Sequence, residues 1–422
     1  MTFKLSEIGL VPVDWEISEL KTKATITMGQ SPKSDSYNSE CIGMPFMQGR
    51  KTFGDKYHSI DTWCTDPKKI AKKNDVLISV RAPVGDVNVA TTDLCIGRGL
   101  ASLRMHNGNN EFLYYLLKNY SKEITNRETG TVFASINKKG LETIKLPFPS
   151  DIEQKAIANI LSTLDEKIET NNQINEKLEE MAQALFKHWF VDFEFPNENG
   201  EPYKSSGGEM VESELGMIPK GWKIKRVGEI VNITRGASPR PIKDYIDAIG
   251  MPWVKISDAT ESKSKYINET KEFIKEEGIP KSKKVSPGTL ILSNSATPGI
   301  PKIMLIDACV HDGWLVFQDY QYITKEFLYY FLMNEREKIL TLSNGSVFRN
   351  LKTDILKNYK IVVPTLELIE KANKIFQDFN NEIERRTKEI KILSNIRDTL
   401  LPKLMSGEIR VPLDDEVLSG QS

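Results

Sequence analysis

Apolar residues recur at alternating steps of four and three over two stretches of the chain, residues 157–189 and 372–404. This heptad spacing lines one side of an α-helix and is typical of helices that pack lengthwise on a partner helix. No Pro or Gly interrupts either stretch before Pro402. At about 1.5 Å per residue each helix would be about 50 Å long, longer than an ordinary domain core requires. The pattern therefore predicts two long helices, over residues 151–192 and 366–405.

The two heptad seams repeat each other at a separation of 215 residues. A single amphipathic helix most often covers a domain core, whereas two seams in the same phase favour helices that pair with each other. Asn171 and Arg386 occupy matching seam positions, and a polar residue there lowers stability but fixes register and partner number. We predict an intramolecular antiparallel coiled coil. Its seam contains Ile157, Leu161, Leu164, Ile168, Asn171, Leu178, Leu185, Phe376, Phe379, Ile383, Arg386, Ile390, Leu393 and Leu400.

The segments that precede the helices are also duplicated. The sequence EIGLVPVDWEI at residues 7–17 returns as ELGMIPKGWKI at residues 214–224, and Gly and Pro residues that favour turns follow at the same offset of 207. A short segment with helical spacing at residues 111–115 returns at residues 326–330. The repetition predicts a tandem duplication of a lobe of mixed helices and strands, each followed by a long helix.

The predicted fold class is α+β, with two duplicated globular α/β lobes separated by the two long helices and related by an approximate twofold axis. The predicted boundaries are 1–150 for the first lobe, 151–192 for the first helix, 193–213 for a linker, 214–365 for the second lobe, 366–405 for the second helix and 406–422 for a C-terminal tail.

The net charge of −1 hides an uneven distribution along the chain. Residues 1–150 contain 20 Lys and Arg against 16 Asp and Glu, and residues 220–365 contain 23 against 16, so the lobes have net charges of +4 and +7. A basic excess attracts nucleic acid, although charged faces are more often simply solvated. The charge alone is therefore a weak indication of nucleic-acid binding.

Motifs of enzymes and of membrane or secreted proteins are missing from the sequence. It has no phosphate-binding Gly-x-x-x-x-Gly-Lys-Ser/Thr loop and no Asp/Asn-Pro-Pro-Tyr/Phe motif for a flipped adenine. Its four histidines and four cysteines have no metal-ligand spacing, and we expect reduced, mostly buried thiols and no metal site. No segment is apolar enough for a membrane span and the start lacks a signal peptide. We therefore expect a non-catalytic protein of the cytoplasm.

Three segments resemble those of a known family over nearly the full length of the chain. They are LFKHWFVDF at residues 185–193, LGMIPKGW at residues 215–222 and LLPKLMSGEIRV at residues 400–411. Together with the order lobe, helix, lobe, helix, they are similar to the specificity (S) subunit of type I restriction-modification systems.

The resemblance implies that each lobe is a target recognition domain for one half of a bipartite, asymmetric site in double-stranded DNA. The helices would set the spacer and dock two methyltransferase (M) subunits, and restriction (R) subunits would join through the complex. No cofactor is expected on this chain, because S-adenosylmethionine would bind the M subunit, and ATP and Mg the R subunit. Successive major grooves on one face of B-DNA lie about 34 Å apart, a distance that helices of this length can bridge.

Recognition of base edges requires Arg, Lys, Asn, Gln, Ser or Thr side chains, and phosphates require cations or backbone amides. Such residues lie in turns beside the duplicated strands, where the two lobes differ strongly in sequence. The DNA-binding candidates are Gln30, Ser31, Lys33, Arg50, Lys51, Arg81, Arg98, Thr131 and Lys138 in the first lobe and Arg235, Ser238, Arg240, Asn294, Ser295, Ser346, Arg349 and Lys352 in the second.

Two other functions remain compatible with the sequence. A stand-alone DNA-binding scaffold or regulator would bind its site without a methyltransferase partner. A purely structural coiled-coil adaptor would have no reason to duplicate two basic lobes.

Overall fold

The computed structural model of the chain describes residues 2–126, 135–262, 264–342 and 350–412. The chain folds as two compact units. The first contains Met1–Thr170 and Glu389–Ser422, and the second contains Asn171–Lys388. Each unit thus contains one lobe, part of the first long helix and part of the second.

Among its described residues the first lobe contains two larger sheets, two two-stranded ladders and four α-helices. Its strands are β1 Phe3–Ser6, β2 Gly9–Pro12, β3 Glu16–Glu19, β4 Ala24–Met28, β5 Tyr37–Asn38, β6 Met44–Met47, β7 Trp63–Cys64, β8 Ile70–Ala71, β9 Val76–Ser79, β10 Val87–Val89, β11 Leu94–Ile96, β12 Leu100–Met105 and β13 Lys145–Phe148. Its helices are α1 Leu20–Lys23, α2 Asn110–Asn119, α3 Ser121–Thr125 and α4 Lys138–Glu142.

The two sheets of this lobe have the orders β10-β9-β12-β4 and β5-β7-β6-β11-β8. The first sheet is antiparallel throughout, and the second contains one parallel pair, β6 with β11. All four residues of β9 are buried, as expected for a β-branched, apolar strand between two neighbours.

One long helix follows each lobe in the chain. These two helices are α5, Asp151–Phe186, and α11, Leu366–Met405. The α-helical part of the first helix ends at Phe186 and not at residue 192, because residues Lys187–Val191 form a π-turn.

The second lobe repeats the plan of the first. Its strands are β14 Met210–Ser213, β15 Gly216–Pro219, β16 Lys223–Arg226, β17 Asn232–Arg235, β18 Ile246–Asp247, β19 Met251–Val254, β20 Tyr266–Ile267, β21 Glu272–Ile274, β22 Lys283–Val285, β23 Leu290–Ser293, β24 Pro301–Met304, β25 Ala308–Val310, β26 Trp314–Gln318 and β27 Lys360–Val363. Its helices are α6 Val227–Ile230, α7 Ile256–Glu261, α8 Lys325–Asn334, α9 Arg336–Leu342 and α10 Thr353–Asn358.

The sheets of the second lobe have the orders β17-β26-β23-β24-β20 and β18-β21-β19-β25-β22. Strand for strand they match β4-β12-β9-β10 and β5-β7-β6-β11-β8, with β20 added at one edge, and β19 and β25 form the equivalent parallel pair. The predicted duplication of an α+β lobe is therefore confirmed.

The lobe and the helices of each unit share one continuous hydrophobic core. In the first unit Ile78 and Phe112 of the lobe belong to the same buried cluster as Leu161 of α5 and Leu404 of α11. In the second unit one buried cluster joins Phe186, Trp222, Phe327, Tyr330 and Phe376. Burial of such large side chains contributes on the order of 1.5–3 kcal/mol each, so the helices are part of each folded unit.

Within each unit the segments of α5 and α11 run antiparallel. In the first unit Asp165 pairs with Arg397 at 2.7 Å and Lys167 with Glu389 at 3.7 Å, so partner numbers fall as the chain advances. In the second unit the Arg386 guanidinium donates to Asn171 Oδ1 at 2.9 Å. Every predicted seam residue is buried or half-buried. The predicted intramolecular antiparallel coiled coil is therefore confirmed for the helix segments within each unit.

A buried lysine connects the second lobe to both helices of its unit. The Lys265 ammonium lies 2.9 Å from Glu179 Oε2 of α5 and donates to Asn380 Oδ1 of α11 at 2.8 Å, with only 2% of its side chain exposed. The rings of Tyr329 and Tyr330 flank it at 4.4 and 4.6 Å. Burial lowers the pKa of Lys265, and Glu179 opposes that shift. Paired in this way, the buried charge orients the lobe on the helices.

Residues from near both ends of the chain meet in the first unit. Arg410 pairs with Asp14 at 2.8 Å and hydrogen-bonds Glu153 at 2.9 Å, and its guanidinium lies 6.0 Å from the Trp15 ring. Residues 406–411 are therefore packed against the first lobe. In the second unit the segment predicted as a linker is packed likewise, because Phe195 stacks on Trp222.

Three further expectations concern metal, thiols and membrane. No cluster of potential metal ligands occurs among the described residues. The four cysteines are free thiols, of which Cys41 is exposed and the other three are buried. None of the helices in the described part of the chain is long and apolar enough to cross a bilayer.

Candidate nucleic-acid interface

In the first lobe a turn after β4 meets the turn between β11 and β12. Gly29 and Gln30 donate backbone hydrogen bonds to Leu100 and Ile96, each 2.9 Å long. The approach is so close that a Cβ on Gly29 would lie 2.1 Å from the carbonyl oxygen of Gly97. Only glycine fits there, and the two turns are held as one surface.

Side chains of these turns, together with Gln48, which follows β6, form a polar group that we call the first turn cluster, Gln30, Ser31, Gln48 and Arg98. Ser31 Oγ donates to Gln48 Oε1 at 2.8 Å and accepts from the backbone N–H of Arg98 at 3.2 Å. Gln30, Gln48 and Arg98 are exposed. The cluster therefore presents amide and guanidinium groups, which match the hydrogen-bonding edges of bases.

The second lobe has the same pair of turns. A Cβ on Gly236 would lie 2.1 Å from the carbonyl oxygen of His311. This is the same distance as that between a Cβ on Gly29 and the carbonyl oxygen of Gly97. Ser238 Oγ donates to Asp312 Oδ1 at 2.7 Å and accepts from the backbone N–H of Asp312 at 3.3 Å. The turns of the two lobes thus share their backbone geometry and their serine.

Two arginines join this turn, so that the second turn cluster consists of Arg235, Ser238, Arg240, His311 and Asp312. Arg235 Nε donates to the backbone carbonyl of Asp312 at 2.7 Å, and the Arg240 guanidinium lies 3.6 Å from Asp312 Oδ2. The hydrogen bond from Ser238 holds the pKa of Asp312 below its usual range, against the opposing effect of burial. Burial lowers the pKa of His311. At neutral pH the cluster contains an ionised carboxylate and a neutral imidazole.

The remaining candidates are distributed more widely. Arg50 forms an ion pair with Asp86, while Lys51 and Lys138 pair with Asp61 and Glu142 at 3.6 Å. The exposed candidates outside the clusters also include Lys33, Arg81 and Lys352.

The other candidates are buried, half-buried or outside the described residues. Asn294 is only 4% exposed and its backbone bonds Gly313 and Leu351, and its role as a DNA contact stays a prediction. Ser295 is half-buried, and a Cβ on Gly313 would lie 2.7 Å from its Oγ. Thr131, Ser346 and Arg349 lie outside the described residues.

Sequence reasoning missed Gln48, His311 and Asp312. The residue types expected at base edges are Arg, Lys, Asn, Gln, Ser and Thr, and these do not include the carboxylate Asp312, although Asp312 follows β25 as Arg98 follows β11. The signal available in the sequence was the common pattern, in which an aliphatic residue, two turn residues and Gly99 or Gly313 precede the next strand.

Comparison with known proteins agrees with the duplicated architecture. The family model described as "Type I restriction modification DNA specificity domain" matches residues 12–180 and 219–393. The MjaIX type I restriction enzyme specificity subunit of Methanocaldococcus jannaschii is 27% identical, with 97% of this chain and 96% of the relative aligned. The HindI specificity subunit of Haemophilus influenzae is 29% identical over 81% and 88% of the two chains.

Among solved structures, the crystal structure of the type I restriction-modification S subunit from M. genitalium is similar in fold. Its TM-score is 0.58 at 20% identity, and the match covers 96% of this chain and 99% of that one.

Proposed function

This chain belongs to the type I restriction-modification DNA specificity family, and on that premise we propose that each of its lobes recognises one half of a bipartite DNA site. The observation that supports the proposal is the pair of turn clusters. Their glycine and serine framework is the same in both lobes, whereas the side chains presented differ. A common framework with different side chains suits two modules that bind DNA alike but recognise different bases.

The role is recognition without intrinsic catalysis. In this family methyl transfer belongs to partner subunits, so S-adenosylmethionine is assigned to the M subunit, and ATP with Mg to the R subunit. The chain would act on DNA in the cytoplasm, and purified alone it should show no methyltransferase, nuclease or ATPase activity.

We further assign the coiled coil two roles, fixing the spacer and docking two M subunits. The support is repetition, because each unit contains the same elements and would offer the same surface to the same partner. Met181 of α5 and Ile396 of α11 are 215 residues apart in sequence, and both are exposed apolar residues, at 55% and 41%. Exposed apolar side chains at matching positions fit a partner that binds twice.

The test is methylation-sensitive sequencing of DNA from cells expressing this chain with its M subunit. The expected result is one asymmetric motif of two half-sites around a fixed spacer, absent when the chain is omitted. Methylation without this chain at the same motif would contradict the proposal. Specific binding by the chain with no effect of the M subunit would favour a stand-alone DNA-binding regulator instead.

A further inference from the structure

The two turn clusters place opposite charges at one equivalent position. Arg98 follows β11 and Asp312 follows β25, the strands that form the parallel pair in each lobe. Each residue donates its backbone N–H to the equivalent serine, at 3.2 Å for Ser31 and 3.3 Å for Ser238. The backbone environment is shared, and the side chain differs from a guanidinium to a carboxylate.

We propose that Arg98 and Asp312 are specificity-determining residues that select the base at equivalent positions of the two half-sites. The first half-site would contain a guanine opposite Arg98 and the second a cytosine opposite Asp312. This inference rests on the proposed function and adds the chemical identity of one base to each half-site.

The Arg98 guanidinium matches the hydrogen-bonding pattern of guanine. Its side chain is exposed at the tip of a turn whose backbone is held by Ser31. A guanidinium has only donors, and guanine is the base that presents two adjacent acceptors, N7 and O6, in the major groove. The neighbouring Gln30 and Gln48 are uncharged amides that leave the guanidinium as the charged donor of this cluster.

The Asp312 carboxylate, in contrast, only accepts hydrogen bonds. Oδ1 accepts from Ser238, while Oδ2 lies 3.6 Å from the Arg240 guanidinium, beyond hydrogen-bond distance. Oδ2 therefore retains acceptor capacity. Cytosine presents the N4 amino donor, whereas the adenine N6 amino group lies beside N7, an acceptor that repels a carboxylate.

A carboxylate near DNA phosphates requires compensating positive charge. Arg235 donates to the backbone carbonyl of Asp312, and the Arg240 side chain is 82% exposed beside Oδ2. These two guanidiniums offset the repulsion between the carboxylate and the phosphates. In the first lobe Arg98 is itself a cation, so no additional arginines are needed to offset repulsion from the phosphates.

The test uses the full chain in complex with its M subunit and a panel of duplexes in which each base pair of the site is replaced in turn. Asp312→Asn converts the acceptor into a group that pairs with adenine N6 and N7, and Arg98→Gln does the same in the first lobe. At one position of the second half-site, Asp312→Asn should change the preferred base from cytosine to adenine. At one position of the first half-site, Arg98→Gln should change it from guanine to adenine. In each case the ratio of the two affinities should change by about tenfold to a hundredfold. Binding is followed by fluorescence anisotropy at fixed salt.

Matched controls separate base recognition from charge and folding. Asp319→Asn removes another carboxylate of the second lobe, one that accepts from Asn232, and Lys122→Ala removes an exposed charge from α3. Neither should change base preference. Asp312→Ala should lose the preference for cytosine without gaining one for adenine, which supports the assignment even when the Asn variant is unstable.

Unaltered preference at every position, or a uniform loss across the panel with Asp312→Asn and Asp312→Ala alike, would overturn the inference. Failure of the proposed function has a different signature, because the wild-type complex would then discriminate none of the duplexes.

Discussion

At the scale of single residues, Asn171 and Arg386 form a polar pair in the helix seam that can fix the register of the two helices. Asn171 is fully buried and accepts from Arg386, whose guanidinium also lies 2.6 Å from Glu382. In the described part of the chain Asn171 Nδ2 and Arg386 Nε have no hydrogen-bond partner. The pair is incompletely satisfied, so it lowers stability while it specifies alignment.

Asn171→Leu should therefore lower the free energy of unfolding by about 1–3 kcal/mol, because the half-buried Arg386 keeps its contact with Glu382 but loses its hydrogen-bond acceptor in the seam. The double variant Asn171→Leu with Arg386→Leu should recover most of that loss or exceed wild type, since apolar seam residues replace both partners. Urea unfolding monitored by circular dichroism gives both values. A double variant that is as unstable as Asn171→Leu alone would contradict the predicted recovery.

The residues of the turn clusters are only partly predictable from the sequence. Arg98, Ser31 and Ser238 were predicted because their types suit DNA and their turns are duplicated. Asp312 is not predictable in this way, because an acidic side chain does not suit phosphates and because its equivalence to Arg98 depends on two turns that meet only in the folded lobe.

At the scale of elements, the long helices and the repeated strands were predictable because their signals are periodic. Heptad spacing identified the seam, and repeated Gly and Pro residues identified the turns. Strand β20 and helix α7 were not predicted, since they lie where the spacing between the copies changes from 207 to 215 residues. The π-turn at Lys187–Val191 was also missed, because its sequence continues the helical pattern.

The helices are further expected to bind the M subunits through their outer faces. Met181→Lys or Ile396→Lys should each remove one M subunit by placing an ammonium in an apolar contact, and the double variant should remove both. Native mass spectrometry of the purified complex gives the stoichiometry.

Glu176→Lys is the control, because it places an ammonium about 140° away around α5 at about 100° per residue. Retention of two M subunits by the double variant would show that these positions lie outside the docking surface.

At the scale of the whole molecule, the coiled coil is expected to act as a ruler. The units divide between Thr170 and Asn171 and between Lys388 and Glu389. One heptad inserted at each division keeps the pairing inside both units and lengthens the helices by about 10 Å, which corresponds to about three base pairs. The DNA must also twist by about 100°, so affinity should fall.

The methylated sites of this double insertion should retain both half-sites around a longer spacer. A heptad in one helix alone should abolish activity, because it leaves seven residues unpaired in the seam. Methylation sequencing distinguishes the outcomes, and an unchanged spacer in the double insertion would mean that the helices do not set the distance.

The central claim is that the two lobes recognise their half-sites independently and that this chain alone determines the methylated sequence. Its most direct test is to replace residues 21–145 with the equivalent segment of a related specificity subunit and to sequence the DNA methylated by the resulting complex. One half of the motif should change, and the other half and the spacer should remain as in wild type. A change in both halves together, or in neither, would contradict the account.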